Sequence, residues 1–127
     1  RQHASLEALA MIELSLPFPP SVNHYWRRVG ARTLVSRTGR AYRATIVALL
    51  RDRAAPPLQE RLTVEIEVHP PDRRRRDLDN LLKALIDALA HAGLYADDSQ
   101  IDRLLIERRG PLAGGRVVVR LGGLSRD

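Results

Sequence analysis

Apolar and polar side chains alternate through Met11, Ile12, Glu13, Leu14, Ser15 and Leu16, and this period of two predicts a half-buried strand. Pro17, Pro19 and Pro20 end it. The alternation returns more cleanly over residues 62–69, where Leu62, Val64, Ile66 and Val68 interleave with Thr63, Glu65, Glu67 and His69. Residues 101–109 and 116–121 read as two further strands around a turn at 111–115, and the two are expected to pair as a hairpin. Residues 33–36 form a shorter β-prone run, and Arg37, Thr38 and Gly39 read as the turn that follows.

A helical period appears twice. Residues 40–53 place Ala41, Ala44, Ile46, Val47, Leu49 and Leu50 as the apolar surface of a helix, and Pro56 and Pro57 stop it. Arg40, Arg43, Arg51 and Arg53 fall largely on its wet side, as a DNA-facing stripe or, more commonly for such a face, as solvated charge. The second helix starts at Asp77, a natural N-cap, and carries Leu78, Leu81, Leu82, Leu85, Ile86 and Leu89 on one broad face until Gly93. The order strand, helix, strand, helix, strand, strand implies an α/β (α+β) fold. Its expected core is a mixed sheet of about four strands with two main helices packed on it.

A chain of 127 residues, 44% of them hydrophobic, fits one domain with an ordinary core, expected over residues 11–127. Residues 1–10 lack the apolar centre of a signal peptide, and Met11 is the only methionine. That segment is therefore expected to be left over from expression. There is no cysteine, which excludes disulfides and thiolate metal sites. No segment is long and apolar enough to predict a membrane helix. The net charge of +6 favours a polyanionic partner. Of the 21 basic residues all but Lys83 are arginine. A GC-rich coding sequence is one cause of the arginine excess, and against it the lone lysine is either a selected residue or chance.

Charge and helix meet in one stretch. Arg73, Arg74, Arg75 and Arg76 run directly into Asp77 and Asp79, with Asn80, Lys83 and Asp87 beyond. Arginines neutralise phosphates and make affinity fall with salt. Two or three carboxylates suit a hard cation such as Mg²⁺, which keeps several waters and accepts a substrate phosphate. Such an ion polarises the phosphate and activates water, while a nearby lysine stabilises the charge that builds up. Asp97 or Asp98, in the acidic turn after the helix, supplies a further carboxylate if the next strand runs back beside residues 62–68. Plainer readings stand beside each part: Asp77 as a cap only, Asp79 and Lys83 as an exposed ion pair, the arginines as a solvated loop, Asp97 and Asp98 as a turn. The stretch 21–32, with Tyr25 and Trp26 beside Arg27 and Arg28, either grips nucleic acid or anchors a surface loop on Trp26. His24, His69 and His91 have no ligand-like spacing.

The run from Pro71 to Leu81, with Lys83, Asp87, Ala88 and Leu89 and then Asp97 and Asp98, closely resembles the RusA family of Holliday junction resolvases. The likeness extends from Leu16 and Pro17 through Asn23, Tyr25, Arg27, Gly39 and Tyr42 to the final strands. The resemblance implies a small homodimeric endodeoxyribonuclease that recognises four-way branched DNA and cuts it symmetrically with Mg²⁺, with Mn²⁺ as a possible substitute. It implies that Asp77, Asp79 and Asp98 hold the metal and that Lys83 is the catalytic lysine. Asn80 and Arg76 match positions that support the site or bind DNA, and Asp97 matches the acidic neighbour. It further implies a bacterial cytoplasmic setting and a phage or prophage origin. Two rivals stand: a less selective metal-dependent nuclease acting on flaps or other branches, and a catalytically silent dimer that binds branched DNA. The second gives no reason to set carboxylates beside a polyanion.

Overall fold

The computed structural model describes residues 11–53 and 55–124; residues 1–10, expected to be an expression remnant, lie outside them. The chain forms two compact units and crosses between them repeatedly. The first takes in the chain up to Phe18, Leu58–Arg73 and the chain from Tyr95 onward; the second is Pro19–Pro57 with Arg74–Leu94.

The first unit is a four-stranded mixed sheet. Its strands are β1 (Ile12–Leu16), β4 (Leu62–His69), β5 (Ile101–Arg108) and β6 (Arg116–Gly123), in the order β1-β6-β4-β5. β4 is central, as its alternation predicts. Leu62, Val64, Ile66 and Val68 are each no more than 2% exposed. Val64, Ile66 and Val68 face Leu121, Val119 and Val117 across the antiparallel β4–β6 ladder, and all three partners are buried. The opposite face of the sheet is laced with charge. Arg120 donates to Glu67 at 2.9 Å, and Arg103 reaches Glu65 at 3.1 Å and Thr63 Oγ1 at 2.9 Å.

The expected β5–β6 hairpin does not form. β5 pairs in parallel with β4, while β6 pairs antiparallel with β4 on its other side. The link between them passes the end of β4 instead of turning back tightly: Arg109 N–H donates to Val68 O at 2.8 Å and Leu112 N–H to Pro70 O at 2.9 Å. Central β4 offers both neighbours a fully buried apolar row, which a direct hairpin would have exposed.

The second unit holds a short helix α1 (Val22–Tyr25), a hairpin of β2 (Trp26–Val29) and β3 (Arg32–Val35), and helices α2 (Arg37–Leu50) and α3 (Leu82–His91). α2 begins earlier than its apolar period suggests. Ser36 caps it by accepting from Gly39 N–H at 3.0 Å, so Arg37, Thr38 and Gly39 are its first turn and not a separate one. Gly39 is there for close approach. A Cβ at that position would lie 2.7 Å from Val35 Cγ1 and 2.8 Å from Tyr25 O. α3 ends as predicted at Gly93, whose φ is +85°. Leu94 N–H donates to Leu89 O at 3.1 Å and Gly93 N–H to Ala90 O at 3.0 Å, the paired bonds of a Schellman stop.

Candidate functional site

The helix expected to start at Asp77 is built in two stages. Residues Leu78–Leu81 form a single 3₁₀ turn, and α3 takes over at Leu82. Asp77 occupies the cap position in extended backbone, but its side chain makes no capping bond. Its backbone carbonyl does the local work, accepting from Asn80 N–H at 3.2 Å. The carboxylates of Asp77 and Asp79 are both exposed at this turn. The reading of Asp77 as a simple side-chain cap therefore fails. Buried Leu81, Ala84, Leu85, Ala88 and Leu89 fix the turn and the helix behind it.

Lys83 lies in the first turn of α3, half-buried, with Nζ 5.8 Å from the centre of the Trp26 ring. A cation held over an aromatic face is a positioned cation. Trp26 is in turn set edge-on against Tyr25, with centroids 5.1 Å apart and planes at 83°. Tyr25 is fully buried and its hydroxyl donates to Asp87, one turn along α3 from Lys83. Arg43 of α2 closes the group, with Nη2 2.6 Å and Nε 2.9 Å from Asp87 Oδ2 and Nε 3.0 Å from Tyr25 Oη. Burial opposes ionisation of Asp87, and the hydrogen bonds from Tyr25 and Arg43 outweigh it, so its pKa is lowered. Burial, followed by the bond to Asp87, pushes the Tyr25 hydroxyl up to about 12. Asp87 thus ties α1, α2 and α3 together and is a structural carboxylate. Sequence pattern gave its position on the helix but not this partnership.

The acidic turn belongs to the first unit. Asp97 caps a 3₁₀ turn at Asp98–Gln100, accepting from Ser99 N–H at 3.0 Å; hydrogen bonding with the Ser99 side chain, and then with its N–H, lowers the Asp97 pKa. Gln100 completes the capping box and is buried. Its Oε1 accepts from Ala96 N–H at 2.9 Å and Asp97 N–H at 2.8 Å. Its Nε2 donates to Leu58 O at 3.0 Å and Glu60 O at 2.9 Å. Asp97 and Asp98 are equivalent by sequence spacing but differ in place: Asp97 caps the turn, and Asp98 is its first residue and is exposed. The spacing of Asp97 to Gln100 carried the signal for Gln100, since a cap followed three residues later by Glu or Gln is the capping-box pattern.

Asp77, Asp79, Asn80 and Lys83 are brought together within one unit, on one 3₁₀ turn and the first turn of the helix that follows. Asp98 stands on the other unit's turn. Among the described residues, no group of three or more acidic or histidine side chains is set to hold a metal ion. The donors themselves are oxygen only and exposed, which is the chemistry a hard divalent cation selects. Of the arginine run, Arg73, Arg74 and Arg75 are exposed; Arg76 is half-buried and reaches back to Arg74 O at 3.4 Å. The crossing between units falls within this run, between Arg73 and Arg74. His24 bonds locally to Ser21 Oγ and His69 bonds across the chain to Gly110 O, each at 3.0 Å.

Segments 19–57 and 74–94 carry twelve basic and four acidic residues, a formal +8, which leaves −2 for the rest of the chain out of a total of +6. The positive charge of this protein is therefore a property of the unit that holds Asp77, Asp79 and Lys83. No described helix is long and apolar enough to cross a membrane.

Comparison with known proteins adds relatives to this geometry. Residues 17–122 match the family model described as endodeoxyribonuclease RusA. A crossover junction endodeoxyribonuclease RusA of Escherichia coli K12 is 42% identical over 115 residues, covering 90% of this chain and 96% of its own length. The corresponding protein of Enterobacteria phage HK97 is 40% identical over 111 residues, with coverages of 87% and 92%. That of Enterobacteria phage 82 is 41% identical over 115 residues.

Proposed function

The chain belongs to the RusA family of endodeoxyribonucleases, and from that membership we propose that it resolves four-way DNA junctions by paired, symmetric, metal-dependent cuts. The observation that carries the reading is the pair of exposed carboxylates at Asp77 and Asp79, beside a positioned Lys83, inside a unit of formal charge +8. A surface meant only to attract DNA gains nothing from such carboxylates, because they repel phosphate unless a cation lies between them.

In this reading Asp77, Asp79 and Asp98 hold the ion, Mg²⁺ or in its place Mn²⁺. The bound ion supplies charge neutralisation at the phosphate and a water acidic enough to act as nucleophile near neutral pH. Water adds to phosphorus and the bond from phosphorus to the 3′ oxygen breaks, leaving a 5′-phosphate and a 3′-hydroxyl that a ligase can seal. Lys83 stabilises the negative charge that grows on the phosphate oxygens and the leaving oxygen, and Trp26 keeps its ammonium in place for that task. Arg73, Arg74, Arg75, Arg76 and Asn80 engage the backbone of the bound arms. Asp97 holds the turn from which Asp98 reaches out. One RusA-like endonuclease domain spans residues 11–127. A homodimer places one such site on each of two symmetry-related strands, so that one cut nicks the junction and two resolve it. The relatives from phages HK97 and 82 support a phage or prophage origin, and action on DNA in the bacterial cytoplasm goes with that reading.

The test is cleavage of a labelled synthetic four-way junction with Mg²⁺ and with EDTA, beside linear duplex and flap controls. Paired incisions at symmetric positions, on the junction and with metal only, are expected. Cutting of every substrate would make the protein a less selective nuclease. Tight junction binding with no cutting under any divalent metal would make it a silent binder.

A further inference from the structure

Beyond Trp26 the β2–β3 hairpin has no assigned part in this picture, yet its base lies against the helix that carries Lys83. Trp26 and Val35 pair at its base, and Trp26 is the residue whose ring faces Lys83. Ser36 N–H donates to Tyr25 O at 2.8 Å, closing the base where β3 leaves it. At the other end the strands join through Gly30 and Ala31, with Gly30 at φ +63°, the conformation a tight two-residue hairpin turn demands of its first residue.

Register sorts the side chains into two faces. Trp26, Arg28, Thr33 and Val35 share one, which begins at the base against Lys83. Arg27, Val29, Arg32 and Leu34 share the other, as a checkerboard: Arg27 opposite Leu34, Val29 opposite Arg32. All four are exposed, and Val29 at 44% and Leu34 at 37% are among the few large aliphatic side chains left open to water. The charge around them has one sign. From Pro19 to Arg51 the sequence has seven arginines and no acidic residue.

Two aliphatic side chains set between two arginines on a two-stranded ribbon suit one kind of partner. The arginines match phosphates. The aliphatics need an apolar face; intact duplex offers little beyond the thymine methyls of the major groove, whereas a base pair not stacked on a neighbour offers its whole face, and inserting into an intact stack costs a few kcal/mol per step. A branch point whose arms are unstacked presents that face without breaking a stack within a duplex. We propose that this hairpin engages the branch point of the DNA, with Val29 and Leu34 against the exposed base-pair face and Arg27 and Arg32 on the flanking phosphates. The proposal rests on the reading of the protein as a junction nuclease and adds the element that tells a branch from a duplex. Because the hairpin base carries Trp26, the branch is also held in register with Lys83.

Both faces of the argument can be tested on the full-length protein with synthetic junction and linear duplex, by affinity and by cleavage. The double variant Val29→Ser, Leu34→Ser is expected to lower the junction-to-duplex affinity ratio about tenfold while leaving duplex affinity unchanged. The double variant Arg27→Gln, Arg32→Gln is expected to weaken both substrates and to reduce the slope of log affinity against log salt by about two. Melting temperatures within about 2 °C of wild type confirm that these exposed changes spare the fold. An unchanged junction-to-duplex ratio in the aliphatic variant overturns the proposal. So does a shift of that variant to monomer in sedimentation, since the face would then belong to a contact between copies. If wild-type protein neither binds nor cuts the junction, the junction-nuclease reading itself is lost, a result distinct from either of these.

Discussion

Asp87→Ala is the most informative stability experiment, because three elements converge on one oxygen. Tyr25 Oη and both Nε and Nη2 of Arg43 donate to Asp87 Oδ2. Removing the carboxylate leaves a guanidinium and a buried phenol without their acceptor. Breaking one partner of a fully buried pair costs ~3–5 kcal/mol. The side chains of Arg43 and Asp87 are 24% and 26% exposed, so solvent screens part of this and about 2–3 kcal/mol is expected. At ~4 °C per kcal/mol for a chain of this size, the melting temperature should fall by about 8–12 °C. Tyr25→Phe, which loses one hydroxyl and keeps the ring, should cost about 1–1.5 kcal/mol. Urea denaturation of Asp87→Ala, Arg43→Met and the double variant closes the cycle; a coupling of at least about 1 kcal/mol is expected. Strict additivity, or a fall below about 2 °C for Asp87→Ala, would refute the account.

The pH dependence of the same cycle has a determined sign. The Asp87 pKa is lowered in the folded protein, so its contribution is present above the unfolded carboxyl pKa and is lost as pH falls through the folded value. Tyr25 is raised to about 12, against roughly 10 when unfolded, so its contribution is complete below pH 10. It then declines as pH climbs toward the folded value. The stability gap between wild type and Tyr25→Phe should therefore be flat near neutrality and narrow at the alkaline end.

Asp77→Asn and Asp98→Asn should each abolish junction cleavage and retain junction binding, since removing negative charge does not weaken attraction to phosphate; loss of binding in a mobility-shift assay would count against their role. Lys83→Ala should lower single-turnover cleavage at least about 100-fold with little change in affinity, and a near-wild-type rate would reduce Lys83 to a surface residue. Gln100→Ala strips partners from Ala96 and Asp97 N–H and from Leu58 and Glu60 O, with an expected loss of about 2–4 kcal/mol. It should also lower cleavage more than junction affinity, because the turn bearing Asp98 loosens; equal losses would separate Gln100 from the site.

Much of the fold was legible because its strands and helices carry their periods openly. Strand β4 was bounded correctly from alternation alone, and Gly93 stopped α3 where a left-handed residue was needed. Pairing was not legible. β5 and β6 each read as strands, but which neighbour each would choose depends on β4 lying between them with a buried row on its inner face, a relation at long range in the chain. The start of α2 was hidden for a local reason. Gly39 looks like a turn residue, and only the Tyr25 carbonyl and the Val35 side chain pressing on it explain a glycine inside a helix.

The candidate site divides along the same line between residue type and partner. The residues themselves offered Asp77, Asp79 and Lys83 with either Asp97 or Asp98 as a further carboxylate, and the resemblance to the RusA family implied Asp98 as the third of the set. Neither said which acidic residues were already engaged. Geometry does. Asp87 is bound by Arg43 and Tyr25, and Asp97 caps a turn, whereas Asp77 sits at a cap position and leaves its side chain out of the capping bond. A carboxylate placed where capping is possible, and not used for it, forgoes about 1 kcal/mol of local stability. Exposed carboxylates in a unit of formal charge +8 are easily stabilised by pairing with arginine, yet Asp77 and Asp79 are held on a tight 3₁₀ turn that keeps both outward. On the proposed reading, two exposed carboxylates on one tight turn and a single lysine set over an aromatic ring are the groups a cation and a phosphate would meet together.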